Sequence, residues 1–157
     1  MKINLVAIGS KMPGWVETGT GEYLKRLPKN FSLSVTELPL VKRSKSGPDV
    51  SKLCEIEGQS LLKAVPAGNH IIALDVKGKQ HSTMTMAERL KDVMEDGKDI
   101  SMLVGGPDGL SRECLDAANE IWSLSELTLP HTIVRIVVAE QVYRAWSVLN
   151  GHPYHRE

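Results

Sequence analysis

Five short apolar runs alternate with segments whose apolar residues recur every three or four positions, and this alternation constrains the fold more than any other feature of the chain. The runs are "INLVAIG" from Ile3, "FSLSVTELPL" from Phe31, "HIIALDVKG" from His70, "ISMLVGG" from Ile100 and "IWSLS" from Ile121. Helix-period segments lie between them. "PGWVETGTGEYLKRL" places Trp15, Val16, Tyr23, Leu24 and Leu27 near helical spacing, although Gly19 and Gly21 weaken it. A second helix starts at a cap on Asp49 or Ser51 and runs to Val65. A third is capped near Ser82 or Thr83, a fourth runs from about Ser111 to Asn119, and the last from Thr132 to about Asn150. Repeated strand-helix units predict an α/β fold, a mostly parallel sheet flanked by helices. At 157 residues, with neither an internal repeat nor a linker, one domain over 1–157 is expected.

The stretch "MLVGGPDGLS", residues 102–111, ends a strand with almost no side chains. Gly105, Gly106 and Gly109 permit positive φ and let another molecule approach bare backbone, and Ser111 reads as a helix cap. Beyond the carboxyl end of a strand is where open α/β sheets bind ligands. A tight connection with no ligand is the competing reading. Neither GxxxxGK[ST], GxGxxG nor GxSxG occurs, so a P-loop, the usual dinucleotide fingerprint and the simplest hydrolase are excluded.

The last helix, "TIVRIVVAEQVYRAWSVLNG", is apolar nearly all round and so is expected to pack both on the sheet and on another subunit. Glu140, Arg144 and Ser147 share a narrow stripe, with Arg135 roughly opposite. Arg135 stands in the first turn, where the helix dipole disfavours a cation, so it needs an acidic or ligand partner. A dimer salt bridge and a substrate contact both satisfy that need. His152 and His155 flank Pro153 and do not make a helical ligand pair, and no metal is expected. The tail's Tyr154, His155 and Arg156 suit base stacking and phosphate contact, or else belong to a frayed terminus. "KRSKSG", with Lys42, Arg43 and Lys45, is a solvated basic loop or a binding loop.

Nineteen basic residues balance nineteen acidic ones, so no global positive field announces nucleic acid, and any RNA contact comes from a local patch or a second subunit. Cys54 and Cys114 lie far apart without metal-ligand spacing and read as free thiols in a reducing compartment. No membrane-spanning run and no signal-peptide pattern is found, so a cytoplasmic location and no membrane partner are expected.

End to end, the chain resembles the small single-domain SPOUT-class methyltransferases, in particular the RlmH family of pseudouridine N3-methyltransferases acting on large-subunit ribosomal RNA. The resemblance is carried by "LVAIGSKMPGWV", "EYLKRLPK", "HIIALDVKGK", "LVGGPDGLS" and "WSLSELTLPHTIVRIVVAEQVYRAWSVLNGHPYHRE", in that order and spacing. It implies a C-terminal part threaded as a trefoil knot and a homodimer. It also implies an S-adenosylmethionine pocket made from Leu74, Gly105, Gly106 and the loop Leu124, Ser125, Glu126, Leu127, Thr128 and Leu129. Leu74, Leu124, Leu127 and Leu129 would bury the adenine. The ribosome or its RNA would be the partner, with His131, Arg135, Arg144, Tyr154, His155 and Arg156 on the substrate side. Of these, His155, Arg144, Arg156 and Tyr154 are the catalytic candidates. Two other classes compete on the residues alone. A nucleotide- or flavin-binding oxidoreductase would copurify with a chromophore, and a non-catalytic ribosome-associated module would bind ribosomes without S-adenosylmethionine.

Overall fold

The computed structural model describes residues 1–44, 46–47 and 49–156. Strands β1 (Lys2–Ile8), β2 (Ser32–Leu38), β3 (His70–Gln80), β4 (Ile100–Val104) and β5 (Glu120–Ser123) form one sheet in the order β2-β1-β4-β3-β5. Every adjacent pair is parallel, as the strand-helix alternation predicts. Helices cover both faces, which is why the strands read as nearly continuous apolar runs. Ile3, Leu5 and Ala7 of β1 point into the larger core, built with α1 (Gly14–Leu24), α3 (Thr83–Glu95) and α5 (His131–Leu149). Val6 and Ile8 point the other way, toward α2 (Val50–Lys63) and α4 (Arg112–Ala117). All five residues of β4, the central strand, are buried.

The helix starts follow from their caps. Asp49 accepts from the Ser51 N–H at 3.0 Å, Ser82 from Thr85 at 3.1 Å and Ser111 from Cys114 at 3.2 Å, each satisfying one of the orphan donors of a first turn. The glycines that weaken a helical reading of "VETGTG" have a packing role at one position: a Cβ on Gly19 would stand 3.0 Å from Cδ1 of Ile136, so its absence lets α1 settle against α5. Gly58 does the same between α2 and α4, where a Cβ would lie 2.1 Å from the Ser111 hydroxyl. The last helix begins one residue earlier than its pattern suggests, at His131 directly after Pro130.

Two further features bear on the site. Strand β3 runs on to Gln80, two residues beyond its apolar run, and meets β5 twice, through Ile72–Leu74 and again through Lys79–Gln80, so that residues 75–78 loop out between the two contacts. Residues 152–156 are folded back on α5, with Pro153–His155 in a 3-10 turn, rather than frayed. Cys54 and Cys114 are free thiols. Among the described residues no helix is long and apolar enough to cross a membrane.

Candidate active site

The carboxyl ends of β3, β4 and β5 converge on a pocket of about 320 Å³, near the small end of the range for small-molecule sites. One wall is Leu74, Asp75 and Val76, where β3 loops away from β5. The floor is Val104, Gly105, Gly106, Pro107 and Gly109. The opposite wall is Ser123–Ser125 and Leu127–Leu129, and His131 with Val134 close it from the first turn of α5. The 123–129 segment is shaped by its own hydrogen bonds: the Ser123 hydroxyl donates to the Ser125 carbonyl at 2.9 Å, and the Leu127 N–H donates to the Ser125 hydroxyl at 3.0 Å. Val76 and Leu127 stand at the rim 58% and 72% exposed, large apolar groups left without cover.

The glycines of the floor have a structural cause. Gly109 donates to the Gly106 carbonyl at 3.0 Å and has φ of +80°, closing a turn over Pro107 and Asp108. A Cβ on Gly105 would lie 2.3 Å from the Gly109 carbonyl oxygen. One on Gly106 would lie 2.8 Å from Oε2 of Glu57 and 3.2 Å from Cγ2 of Ile8. The fold alone therefore demands glycine at 105, where the neighbours are backbone, and favours it at 106, where they are side-chain ends. Ligand access, the reason the sequence suggests, is not needed to explain them.

Leu74, Gly105, Gly106, Leu124, Ser125, Leu127, Thr128 and Leu129 all line the pocket; Glu126, between two of them, does not. His131, expected on the substrate side, lines it too. Asp75, Val76, Val104, Pro107, Gly109, Ser123 and Val134 complete it. Their signal was adjacency: Asp75 and Val76 follow Leu74, and Val134 lies one helical turn after His131.

The other substrate-side candidates lie elsewhere. Arg135 is 3% exposed and is held within the chain, Nη2 donating to the Gly9 carbonyl at 2.7 Å and Nη1 lying 3.2 Å from Oε2 of Glu37. It has the acidic partner that its place in the first turn requires, but that partner is neither another subunit nor a substrate, and its burial argues against direct contact with RNA. Arg144 and Tyr154 meet at Glu140: the Arg144 Nε and the Tyr154 hydroxyl both donate to Oε1, at 2.8 and 3.0 Å, and the guanidinium sits 4.9 Å from the tyrosine ring centre. Burial first, and then Glu140, push the Tyr154 phenol well above its usual range, so it stays protonated at neutral pH and is a donor, not a base. His155 has a buried Nδ1 with no hydrogen-bond partner, and Arg156 is exposed. Thirteen residues of helix separate His131 from Arg144, about 20 Å at 1.5 Å per residue. The tail folds back toward the pocket, since the Tyr154 hydroxyl reaches Glu140, six residues or about 9 Å along α5 beyond Val134 of the pocket wall. In the basic loop, Lys42 is exposed and Arg43 is ion-paired to Glu57 and Asp108; Lys45 lies outside the described residues.

A family model described as "Predicted SPOUT methyltransferase" matches residues 1–155. The chain belongs to the SPOUT methyltransferase family. Among curated relatives, "Ribosomal RNA large subunit methyltransferase H" of Hahella chejuensis (strain KCTC 2396) is 50% identical over 157 residues, covering 100% of both chains. The protein of the same name from Marinomonas sp. (strain MWYL1) is 49% identical over 156 residues, 99% of this chain and 100% of its own. A solved structure of a methylase-family protein from Neisseria gonorrhoeae superposes with a TM-score of 0.56 at 14% identity, covering 90% of this chain and 81% of that one, and it supports the fold alone. The SPOUT membership gives the pocket at the ends of β3, β4 and β5 a family context that its glycines could not supply.

Proposed function

We propose that this SPOUT chain transfers a methyl group from S-adenosylmethionine to N3 of a pseudouridine in 23S ribosomal RNA, acting in the cytoplasm as a homodimer. The observation that carries the reading is the pocket at the ends of β3, β4 and β5, whose lining includes eight of the nine residues expected to hold the cofactor, Leu74, Gly105, Gly106, Leu124, Ser125, Leu127, Thr128 and Leu129. The match to relatives named ribosomal RNA large subunit methyltransferase H supports the substrate class.

The lining fits the cofactor chemically. Leu74, Val104, Leu124 and Leu129 offer apolar walls for an adenine, and backbone groups around Gly105 offer the few polar contacts that orient it. Asp75 and His131 are the ionisable residues of the lining, which includes no lysine or arginine, so a sulfonium cation meets no like charge there. When bound, S-adenosylmethionine supplies an already activated methyl group. The chain's own work is alignment and exclusion of water by the leucine walls, together with polarising the base as its imide proton leaves. Arg144 and Arg156 are suited to hold base or phosphate oxygens, Tyr154 to donate a hydrogen bond or stack, and His155 to stack or accept a proton. A second copy that brings its tail to this pocket would complete the substrate side.

The same reading includes the trefoil knot. It rests on the family match over residues 1–155, and the close approach of β3 to β5 at Gly78, where a Cβ would lie 2.6 Å from the Trp122 carbonyl carbon, is compatible with it.

The test is methyl incorporation from labelled S-adenosylmethionine into assembled ribosomes, isolated large subunits and naked ribosomal RNA taken from cells lacking the activity. Label mapped to one pseudouridine N3 is the expected result, and label in none of the three acceptors despite cofactor binding would overturn the substrate assignment. Arg156→Ala should depress methylation while leaving cofactor affinity within about twofold, since an exposed tail arginine is not expected to touch the cofactor. Equal loss of both would move the tail off the RNA side.

A further inference from the structure

We propose that Arg43 is a positioning residue for the cofactor-binding loop, aimed by the buried carboxylate of Glu57 and latched to the loop through Asp108. The inference rests on the cofactor reading above and names a device outside the pocket that sets its geometry. Glu57, in α2, is 2% exposed, a position where an unpaired carboxylate is strongly disfavoured. Its Oε1 accepts from the Val41 N–H at 3.2 Å and from Nη1 of Arg43 at 2.5 Å, and Oε2 lies 3.4 Å from Nη2. Nη1 also donates to the Val41 carbonyl at 2.7 Å. The guanidinium is thereby fixed on one edge by buried charge and main chain. Its Nη2 is left directed at Oδ2 of Asp108, 2.7 Å away.

Asp108 is the third residue of the Gly106–Gly109 turn, four of whose neighbours, Gly105, Gly106, Pro107 and Gly109, form the pocket floor. Neither Asp108 nor Arg43 lines the pocket, so both act through the loop and not on the ligand. Glu57 supports the loop a second time, because its Oε2 backs the α-carbon of Gly106, 2.8 Å from where a Cβ would stand. One carboxylate thus holds the loop from beneath at Gly106 and, through Arg43, from outside at Asp108. A fork-shaped guanidinium can make both contacts at once, and a lysine ammonium on the same stem cannot reproduce that planar geometry.

If the latch sets the fraction of loop in its binding geometry, breaking it lowers apparent affinity by that fraction. The Arg43–Asp108 pair is 26% and 31% exposed, so the effect expected is modest, about three- to fivefold in cofactor dissociation constant. The experiment measures S-adenosylhomocysteine binding by calorimetry, steady-state KM and kcat with ribosomes, and thermal unfolding without ligand, for the full chain and for Asp108→Asn, Arg43→Lys, Arg43→Met and their pairwise combination. The expected result is a raised dissociation constant and KM for the cofactor with kcat little changed, no more recovery in Arg43→Lys than its charge alone provides, and a double variant no weaker than the worse single one. Glu57→Gln tests the buried end, and if it does not fold, Asp108→Asn at the exposed end still decides. Unchanged affinity in Asp108→Asn and Arg43→Met, with wild-type binding intact, would overturn the latch alone. A loss that merely follows a lower unliganded unfolding temperature would overturn it too. Absence of binding by the wild-type chain would overturn the cofactor reading first and the latch with it.

Discussion

Two glycine-to-alanine changes of identical chemistry should move stability in opposite directions, and Gly78 is the informative one. A Cβ there would meet backbone, 2.6 Å from the Trp122 carbonyl carbon and 2.8 Å from the carbonyl carbon and oxygen of Ile121. Backbone cannot rotate away as a flexible side chain can. Restoring ordinary contact near 3.4 Å requires β3 and β5 to part by about 0.8 Å, which is overpacking of the kind that costs about 1–3 kcal/mol. The second contact between the strands, at Lys79 with Trp122 and Gln80 with Ser123, lies directly beside the wedge, and each hydrogen bond strained there adds about 1 kcal/mol. Alanine returns only about 0.4–1 kcal/mol by restricting the unfolded chain, leaving Gly78→Ala about 2–4 kcal/mol less stable. Gly21, inside α1 with nothing within 4 Å of its notional Cβ, is the control, and Gly21→Ala should gain about 0.5–1 kcal/mol from helix propensity. Urea unfolding of both variants at one pH reads the difference. Because Asp75 and Val76 precede the wedge and Ser123–Ser125 follow it, Gly78→Ala should also weaken cofactor binding, whereas Gly21→Ala should not. A Gly78→Ala protein as stable as Gly21→Ala would refute the tight crossing of β5 by the β3 loop.

Two further predictions concern buried charge. Glu120 accepts from Nη2 of Arg89 at 2.9 Å and from Nε1 of Trp122 at 2.9 Å, and pairs with His70 at 2.8 Å; although burial opposes it, these partners hold its carboxyl down at about 2 against an ordinary 4.5. A depressed carboxylate pKa contributes stability that is complete above 4.5 and disappears as pH falls toward 2. Glu120→Gln should therefore be up to about 3 kcal/mol less stable than wild type at neutral pH and should converge with it near pH 2, as read by urea midpoints across the range; parallel curves would refute this. Arg135→Met removes the bonds to Gly9 and Glu37 and strands a buried carbonyl, so it should lower stability by about 2–3 kcal/mol, with residual methylation following the folded fraction in the same preparation. Full stability with lost methylation would instead restore Arg135 to the substrate.

How much of this was legible in the sequence depended on whether a residue's partners were local. The strands were readable because β1 and β4 are covered on both faces and β2 alternates as a half-buried edge, and the caps Asp49, Ser82 and Ser111 because a cap and the N–H that donates to it lie two or three residues apart. The demand that Arg135 find an acidic partner was readable from its place in the first turn of a helix. That the partner is Glu37, nearly a hundred residues away, was not. Glu57 illustrates the limit further: its spacing, four residues from both Leu53 and Leu61, puts it on the apolar stripe of α2, but only folding brings Arg43 and Asp108 to it. The pocket lining, apart from the glycines, was readable only through the family resemblance, because "LSELTL" carries no chemistry of its own.

The glycine-rich stretch remains the instructive case, because it pointed to residues that do line a pocket, for a reason the structure largely replaces. Gly105 is glycine because the turn folds onto the Gly109 carbonyl, and Gly106 because Glu57 and Ile8 lie beneath it. A chain with no ligand at all would still need the first. What a ligand-free turn would not need is the surround: a concave space of about 320 Å³, apolar leucines on opposite walls, and Leu127 exposed at its mouth. Gly106→Ala separates the two causes. If glycine serves packing, the alanine variant should lose stability and cofactor affinity together, through Glu57 and Ile8. If it serves ligand approach, affinity should fall in a protein that unfolds at the wild-type midpoint. The 2.8 Å approach of the Glu57 carboxylate favours the first, by an amount set by how far that carboxylate and the Ile8 methyl can give.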